Sequence, residues 1–202
     1  MLALEFRSWR DRKGYHRDEF GRVLRNGKEQ KDLERCYPLS SPDLYLIFAN
    51  TCTTADGVVK FVNQYGPVTQ LGNDIDRCDN VKKVIHQAKL MQEIWKRSAG
   101  GQQWPKEWAK PGRITTISSI DAAIVWEPVS RLPRWQLRPK LLLDALWLQL
   151  GQALTGRALI RQCEQCHRWF EAGRGTGRRA DAKFCSEEHK ISFHSHKRSR
   201  GK

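Results

Sequence analysis

Hydrophobic positions follow a helical period in two stretches of this chain. In residues 74–98, apolar side chains recur at steps of three and four, as on the buried face of a helix. A second helix is predicted over residues 140–154, between Pro139 and Gly156, because proline favours a helix start and glycine a helix end. These two stretches predict the longest helices.

Shorter apolar runs predict the remaining elements. Residues 44–49 fit either a buried strand or the first turns of a helix, since periodicity alone cannot separate the two. Thr53 or Thr54 is suited to cap a helix that ends at the following Gly-Pro pair. β-branched residues at 114–117 and 122–126 predict two short strands.

The charge pattern adds a candidate partner. The formal net charge is +14, and residues 157–202 hold twelve basic and five acidic side chains, the largest imbalance along the chain. A polyanion suits such a segment, and nucleic acid is a commoner one than an anionic membrane. The alternative is that the basic residues only keep the protein soluble.

Apolar stretches are too short to suggest a membrane partner. None approaches the ~20 residues of a membrane span. Residues 1–14 lack the apolar run of a signal peptide. We therefore expect a cytoplasmic protein, in which the six cysteines stay reduced or bind metal.

Four residues near the C-terminus have the spacing of a metal site. Cys163 and Cys166 form a C-x₂-C pair, and Cys185 and His189 form a C-x₃-H pair eighteen residues later. Structural zinc takes four nitrogen or sulfur ligands in a tetrahedron, which two such pairs can supply. The spacing predicts one structural Zn²⁺ with no open coordination position, with His194 as the alternative fourth ligand.

The residues around the two pairs predict a small module. A hairpin between the pairs, with Phe170 and Phe184 as a miniature core, followed by a helix that carries the second pair, is the treble-clef arrangement. The other cysteines do not join it. We expect Cys52 and Cys78 in the hydrophobic core and Cys36 as a surface thiol.

The C-terminal tail resembles the CGNR-type zinc finger of bacterial proteins that carry an ABATE domain. The motifs that carry the resemblance are Cys163-x₂-Cys166-x₂-Trp169-Phe170, Arg178-Arg179, Phe184-Cys185-Ser186 and Lys197-Arg198. Upstream, Phe48-Ala-Asn-Thr51 and Leu141–Trp147 are also similar to family motifs. The Gly-Asn-Arg signature is missing, and Glu187-Glu-His-Lys190 stands where the family has its fourth Cys. The resemblance implies a transcriptional regulator.

We therefore predict an α+β protein that binds zinc and nucleic acid, with DNA as the expected form. The predicted segments are an irregular or hairpin segment at 1–41, an ABATE-like, mainly helical domain at 42–157, a treble-clef or zinc-ribbon-like module at 158–198 and a disordered tail at 199–202. The basic side chains expected to face phosphates are Arg174, Arg178, Arg179, Lys183, Lys190, Lys197, Arg198 and Arg200.

Two other classes of function fit the sequence less well. A zinc-stapled protein-interaction module without nucleic-acid contact is the alternative, because Trp104, Trp108 and Trp135 lie in predicted loops where they can serve as anchors. We expect no enzyme, because no nucleophile is paired with a base. The acidic cluster of Asp74, Asp76 and Asp79 is interpreted as the start of a helix, where carboxylates favour the helix dipole.

Overall fold

The computed structural model describes residues 3–40, 43–70, 79–100, 120–127, 132–156, 159–173 and 176–200. Over these ranges, five α-helices combine with short, mostly antiparallel strands, which confirms the predicted α+β class. None of the described helices has the length and apolar composition needed to cross a membrane. The helices are α1 (Leu44–Thr51), α2 (Ala55–Tyr65), α3 (Val81–Gly100), α4 (Leu142–Thr155) and α5 (Glu187–Arg200).

Helix α1 resolves the ambiguous apolar run at residues 44–49. Five of its eight residues are buried, because the helix contacts α2, α3 and α4. Apolar residues on several sides of a short helix produce a continuous run that resembles a buried strand. Helix α2 begins where predicted: the Thr54 hydroxyl accepts a hydrogen bond from the Gly57 amide at 3.1 Å. It ends at Gly66, whose φ of +87° favours glycine.

Helix α3 begins later than the predicted residue 74. Asp79 and Asn80 form a short strand, and residues 71–78 lie outside the described ranges. The Asp79 carboxylate is buried and accepts hydrogen bonds from the Val68 and Thr69 amides, both at 2.7 Å. The Asn80 side chain accepts a bond from the Lys83 amide and so caps the helix. The interpretation of Asp79 as a helix-dipole residue was therefore wrong.

The first forty residues contain five short strands. Strands β2 and β5 pair antiparallel, β3 and β4 form a hairpin, and β4 also pairs with the short strand β6 at Asp79–Asn80. Phe6, Tyr15 and Val23 reach the same core as the helices. The five strands are β1 (Ala3–Leu4), β2 (Ser8–Asp11), β3 (Tyr15–Arg17), β4 (Arg22–Arg25) and β5 (Leu33–Cys36).

A longer hairpin precedes α4. Strands β7 (Ile120–Glu127) and β8 (Leu132–Pro139) pair antiparallel, and β1 adds to β8 in parallel. The strand predicted at 122–126 lies within β7, whereas β8 was not predicted because its two prolines are unfavourable within strands. The strand predicted at 114–117 lies outside the described residues.

The main hydrophobic core lies among α1, α2, α3 and α4. Its largest fully buried side chains are Trp95, Tyr45, Phe48, Phe61, Leu44, Met91, Ile94, Leu142, Leu146 and Leu150. Ile160, which follows the predicted boundary at residue 157, belongs to this same core. The division of the chain into domains stays a prediction, and helix α5 continues to Arg200, into the tail predicted to be disordered.

Candidate metal centre

A two-stranded hairpin presents the first two candidate ligands. Strands β9 (Leu159–Gln162) and β10 (Trp169–Ala172) pair antiparallel, with Gln162 opposite Trp169. The connecting turn is closed by hydrogen bonds from the Cys163 amide to Arg168 O and from the His167 amide to Cys163 O, each 2.9 Å. His167 has a φ of +57°, so the turn passes through the left-handed region. Cys163 and Cys166 therefore sit together on a tight knuckle.

Helix α5 presents the other two candidate ligands. Cys185 precedes the helix, and His189 lies in its first turn. The Ser186 hydroxyl accepts a hydrogen bond from the His189 amide at 3.3 Å, as a capping residue does. A separation of four residues puts Cys185 and His189 on one side of this turn. A hairpin followed by a ligand-bearing helix is the order expected for a treble clef.

The four ligand atoms converge within 4.8 Å of one another. Cys166 Sγ lies 3.7 Å from Cys185 Sγ, and Cys163 Sγ lies 3.8 Å from His189 Nδ1. Metal–ligand bonds of about 2.0–2.3 Å around a tetrahedral ion give edges of roughly 3.3–3.8 Å. Cys185 Sγ and His189 Nδ1 are closer, at 2.9 Å, a hydrogen-bonding separation. The cluster is thus of the right size to hold one metal ion.

The thiols of the cluster differ in the direction of their pKa shifts. Burial raises the pKa of the Cys163 thiol, but the backbone amides of Cys166, Cys185 and Gln165 outweigh it and lower this pKa to about 6. Burial and the neighbouring sulfurs raise the pKa of Cys185 to about 12. Three adjacent sulfurs cannot all become thiolates unless a positive charge compensates them.

His194 lies away from the ligand cluster. Its exposed ring packs against Phe184 and Phe193, with centroid separations of 5.8 and 5.7 Å. His189, not the alternative His194, is the histidine that joins the three cysteines. Phe170 is buried in the module, and Phe184 packs against that small cluster, which is the predicted miniature core.

Helix α1 holds the hairpin against the rest of the protein. The Asn50 amide donates to Trp169 O at 3.1 Å, and its oxygen accepts from Trp169 N at 3.2 Å. The Tyr45 hydroxyl donates to the Glu171 carboxylate. Sequence reasoning missed these contacts, although the polar Asn50 within an apolar helical run was a signal for them.

Arg178 braces the metal module from within. Its Nε donates to Cys185 O at 3.0 Å, and its Nη1 donates to Glu171 O at 3.3 Å. Its guanidinium lies 5.7 Å from the Phe170 ring centroid. This side chain, predicted to face phosphate, is engaged with the carbonyl of one candidate ligand.

The other predicted phosphate-facing residues divide into two groups. Arg179, Lys183 and Lys190 are exposed on the module, each in a surface ion pair, with Asp181, Glu164 and Glu187 respectively. Surface pairs of this kind contribute only about 0–1 kcal/mol, so an incoming phosphate can compete with them. Arg174 lies outside the described residues, and so do the side chains of Lys197, Arg198 and Arg200 in α5.

Of the remaining cysteines, Cys36 and Cys52 are described by the structure, and neither belongs to the cluster. Cys52 is fully buried in the core, as predicted. Cys36 is not a surface thiol: it is half-buried, its sulfur donates to Tyr65 O at 3.5 Å, and burial raises its pKa to about 11. Helix α2 covers this position, which sequence reasoning could not foresee. Cys78 lies outside the described ranges, as do Asp74, Asp76, Trp104 and Trp108.

Comparison with known proteins identifies no relative of this chain. No protein-family model, curated protein or solved structure matches the chain. Its function therefore has to be inferred from its own residues, and the described part of the chain contains a Cys₃His group that can hold a metal ion.

Proposed function

We propose that this chain is a nucleic-acid-binding protein whose basic C-terminal module is held together by one structural Zn²⁺. The observation that carries the proposal is the convergence of Cys163, Cys166, Cys185 and His189 within 4.8 Å. This cluster lies on the segment with the largest excess of basic residues.

Zinc is the ion that this set of donor atoms suits best. Thiolate sulfur and imidazole nitrogen are its usual structural ligands, whereas calcium and magnesium prefer oxygen. Four protein ligands fill a tetrahedral shell, so neither water nor substrate has a position on the ion. We therefore propose that the ion stabilises the fold and has no catalytic role.

Exposed cations on the same module support binding to phosphates. The side chains of Arg179, Lys183 and Lys190 are 86%, 68% and 52% exposed. Lys and Arg on one basic surface neutralise phosphates without reading sequence, and such binding weakens steeply with salt. The carboxylates paired with these cations are also exposed, which leaves the pairs easy to exchange.

The resemblance to CGNR-type zinc fingers extends the proposal to a bacterial, cytoplasmic regulator of transcription that binds DNA. Compatible with it are the position of Cys163 and Cys166 on a hairpin turn and that of Cys185 and His189 at a helix start. Because the Gly-Asn-Arg signature is missing, we assign phosphate contact to the exposed cations of the module.

Metal analysis combined with a binding assay tests the proposal. Purified protein should contain one zinc per chain and shift labelled DNA, with affinity falling as salt rises. A triple variant, Arg179→Gln, Lys183→Gln and Lys190→Gln, should keep its zinc. The slope of its affinity against salt concentration should fall by the equivalent of up to about three phosphate contacts. The control is Lys60→Gln, Lys82→Gln and Lys89→Gln, which removes three cations outside the module. Absence of zinc, or no binding at low salt, would contradict the proposal.

Protein–protein interaction remains the second candidate, because two large apolar side chains are exposed side by side. Ile124 and Trp135 are direct cross-strand partners on β7 and β8, and they are 64% and 55% exposed. Trp135 was one of the predicted anchors. Cross-linking from a photoreactive residue at position 124 tests this surface. Products that are unchanged in a Trp135→Ser background would weigh against it.

A further inference from the structure

A groove separates α3 from the metal module. Its volume is about 820 Å³, within the range of sites that take small ligands. Ile160, Trp169 and Ala182 give it an apolar lining. Trp169 also packs against the buried Trp95, with ring centroids 6.4 Å apart, so its position is fixed by the core. The groove thus offers a planar aromatic ring on a rigid support.

The lining of the groove contains three cations, of Lys96, Arg161 and Lys183, and three carboxylates. Two of the cations, Lys96 and Arg161, are exposed and have no acidic partner among the described residues. Arg161 Nε donates to Ala180 O at 2.7 Å, which holds its guanidinium at the groove. Every carboxylate of the lining is already paired with a cation: Glu93 with Arg97, Glu164 with Lys183 and Asp181 with Arg179.

A second concavity continues from the first. It has a volume of about 570 Å³ and shares Asp181, Ala182 and Lys183 with the groove. Its lining contains Arg179 and Lys190, two of the cations proposed to contact phosphate. The cations proposed to contact phosphate therefore lie in a concavity next to the groove that contains Trp169.

We infer that this groove accepts an unpaired nucleobase, stacked on Trp169, and that the nucleic acid bound by the module is single-stranded. The inference rests on the proposed function. A base in a duplex keeps both faces inside the helical stack and cannot reach a side chain in a groove. In a single strand, base stacking on an aromatic residue combines with cations that follow the backbone. Here Lys96 and Arg161 supply those cations.

Equilibrium binding of the zinc-loaded, full chain to labelled oligonucleotides tests the inference. We expect single-stranded DNA or RNA of about 15 nucleotides to bind at least roughly tenfold more tightly than the matching duplex. An oligonucleotide of the same length with abasic sites should lose most of this advantage. Because the abasic arm uses unaltered protein, it does not depend on any variant folding correctly.

Two sets of variants assign the contacts. Trp169→Leu should weaken single-strand binding roughly tenfold and leave the slope of affinity against salt unchanged, while Trp169→Phe keeps most of the affinity. Trp135→Leu, which changes an exposed tryptophan outside the groove, is the matched control. Lys96→Gln with Arg161→Gln should flatten the salt dependence instead.

The outcomes separate the inference from the function on which it rests. Equal affinity for duplex and single strand would overturn the inference that the groove binds an unpaired base. Equal effects of Trp169→Leu and Trp135→Leu in folded, zinc-loaded protein would do the same. Both outcomes would leave the proposed nucleic-acid binding in place. Absence of binding to every oligonucleotide at low salt would overturn both. A preference for single-stranded DNA over RNA, or the reverse, would show which nucleic acid the groove accepts.

Discussion

Among single residues, His189 determines whether protein side chains fill the whole coordination shell. Its Nδ1 lies 2.9 and 3.8 Å from the sulfurs of Cys185 and Cys163, whereas His194 packs on Phe184. His189→Ala should therefore lower zinc affinity by more than the roughly 10–100-fold that loss of an outer-shell partner costs. Competition with a chromophoric chelator measures this effect.

Two further variants make the test of His189 specific. His194→Ala should keep the parental zinc affinity, because its ring is not part of the cluster. His189→Cys should also retain zinc, since a Cys₄ set forms an equally closed tetrahedral site. Comparable loss of zinc in His189→Ala and His194→Ala would mean that both imidazoles reach the ion, contrary to the assignment made above.

Asn50 joins helix α1 to strand β10 through both polar atoms of its side chain. Asn50→Ala leaves the amide and the carbonyl of Trp169 without that partner, and we expect it to lower the free energy of unfolding by about 1–3 kcal/mol. Urea denaturation followed by tryptophan fluorescence measures it. Gln152→Ala, on the exposed surface of α4, is the matched control, and equal destabilisation by both changes would refute the role of Asn50.

The residues that the sequence revealed are those whose partners are close in the chain. The two ligand pairs and the Thr54 cap depend on spacings of three or four residues, and such spacings are visible in the sequence itself. Asn50 depends on the position of its partner in the folded protein, because Trp169 lies 119 residues away in the chain. Cys36 was misjudged for the same reason, because its burial depends on a helix that comes later in the chain.

At the scale of elements, two helical glycines should respond oppositely to alanine. Replacing glycine within a helix normally stabilises a protein by about 0.5–1 kcal/mol. Gly57 in α2 is an exception, because an added Cβ would lie 1.9 Å from Thr51 O. Gly57→Ala should therefore destabilise the protein, whereas Gly151→Ala in α4, with no atom within 4 Å of the new Cβ, should stabilise it.

Thermal unfolding of both glycine variants provides the measurement. Gly57→Ser offers a second substitution with the same Cβ, and it should reproduce the loss. An equal rise in melting temperature for Gly57→Ala and Gly151→Ala would contradict the close approach of α1 and α2 at Thr51.

The turn before β5 should make stability depend on pH. Lys13 Nζ lies 3.0 Å from Asp32 Oδ1, and this contact, together with the Glu29 amide, lowers the pKa of Asp32 below its ordinary value of 3.8. A lowered pKa in the folded state stabilises the protein above the ordinary value, and this stabilisation disappears as pH falls through the lowered pKa.

Asp32→Asn isolates this contribution. The variant should be less stable than the parent at neutral pH, and the difference should shrink as pH falls below about 4. Urea unfolding between neutral and acidic pH follows it, with Asp181→Asn as the exposed control. A difference between parent and variant that stays constant across this range would show that the carboxylate charge plays no part.

Element boundaries were harder to predict than element types. The apolar period of α3 was read correctly, but its start was not, because Asp79 and Asn80 pair with β4 from the first part of the chain. Strand β8 was missed because its propensity is poor and its partners, β1 and β7, stabilise it. The long-range pairing of β6 with β4 and of β8 with β1 leaves no periodic signal in a single sequence.

For the whole molecule, removal of the metal should affect one region before the others. Among the described residues, the module's own core contains only Cys163, Phe170 and Ala172 as buried residues, too few for the module to fold without a metal ion. A strong chelator should therefore abolish amide protection in β9, β10 and the first turn of α5, while α2 and α4 keep theirs. Hydrogen exchange with mass spectrometry resolves these segments.

The same treatment should lower the melting temperature by on the order of 5–10 °C, because binding energy confined to the folded state is lost. Restoring one equivalent of zinc should reverse both effects, and magnesium should not, since it prefers oxygen ligands. Uniform loss of protection across all helices would show that the metal supports the entire fold.

The pairing of Asn50 with Trp169 also fixes an order of events during synthesis. Helix α1 leaves the ribosome 119 residues ahead of its partner on β10. Every new copy therefore passes through an interval in which α1 has been synthesised and its partner β10 has not. The four candidate metal ligands, at positions 163 to 189, are also synthesised after α1. In a cell short of zinc, the copies that accumulate would keep helices α1 to α4 and be open at the tail.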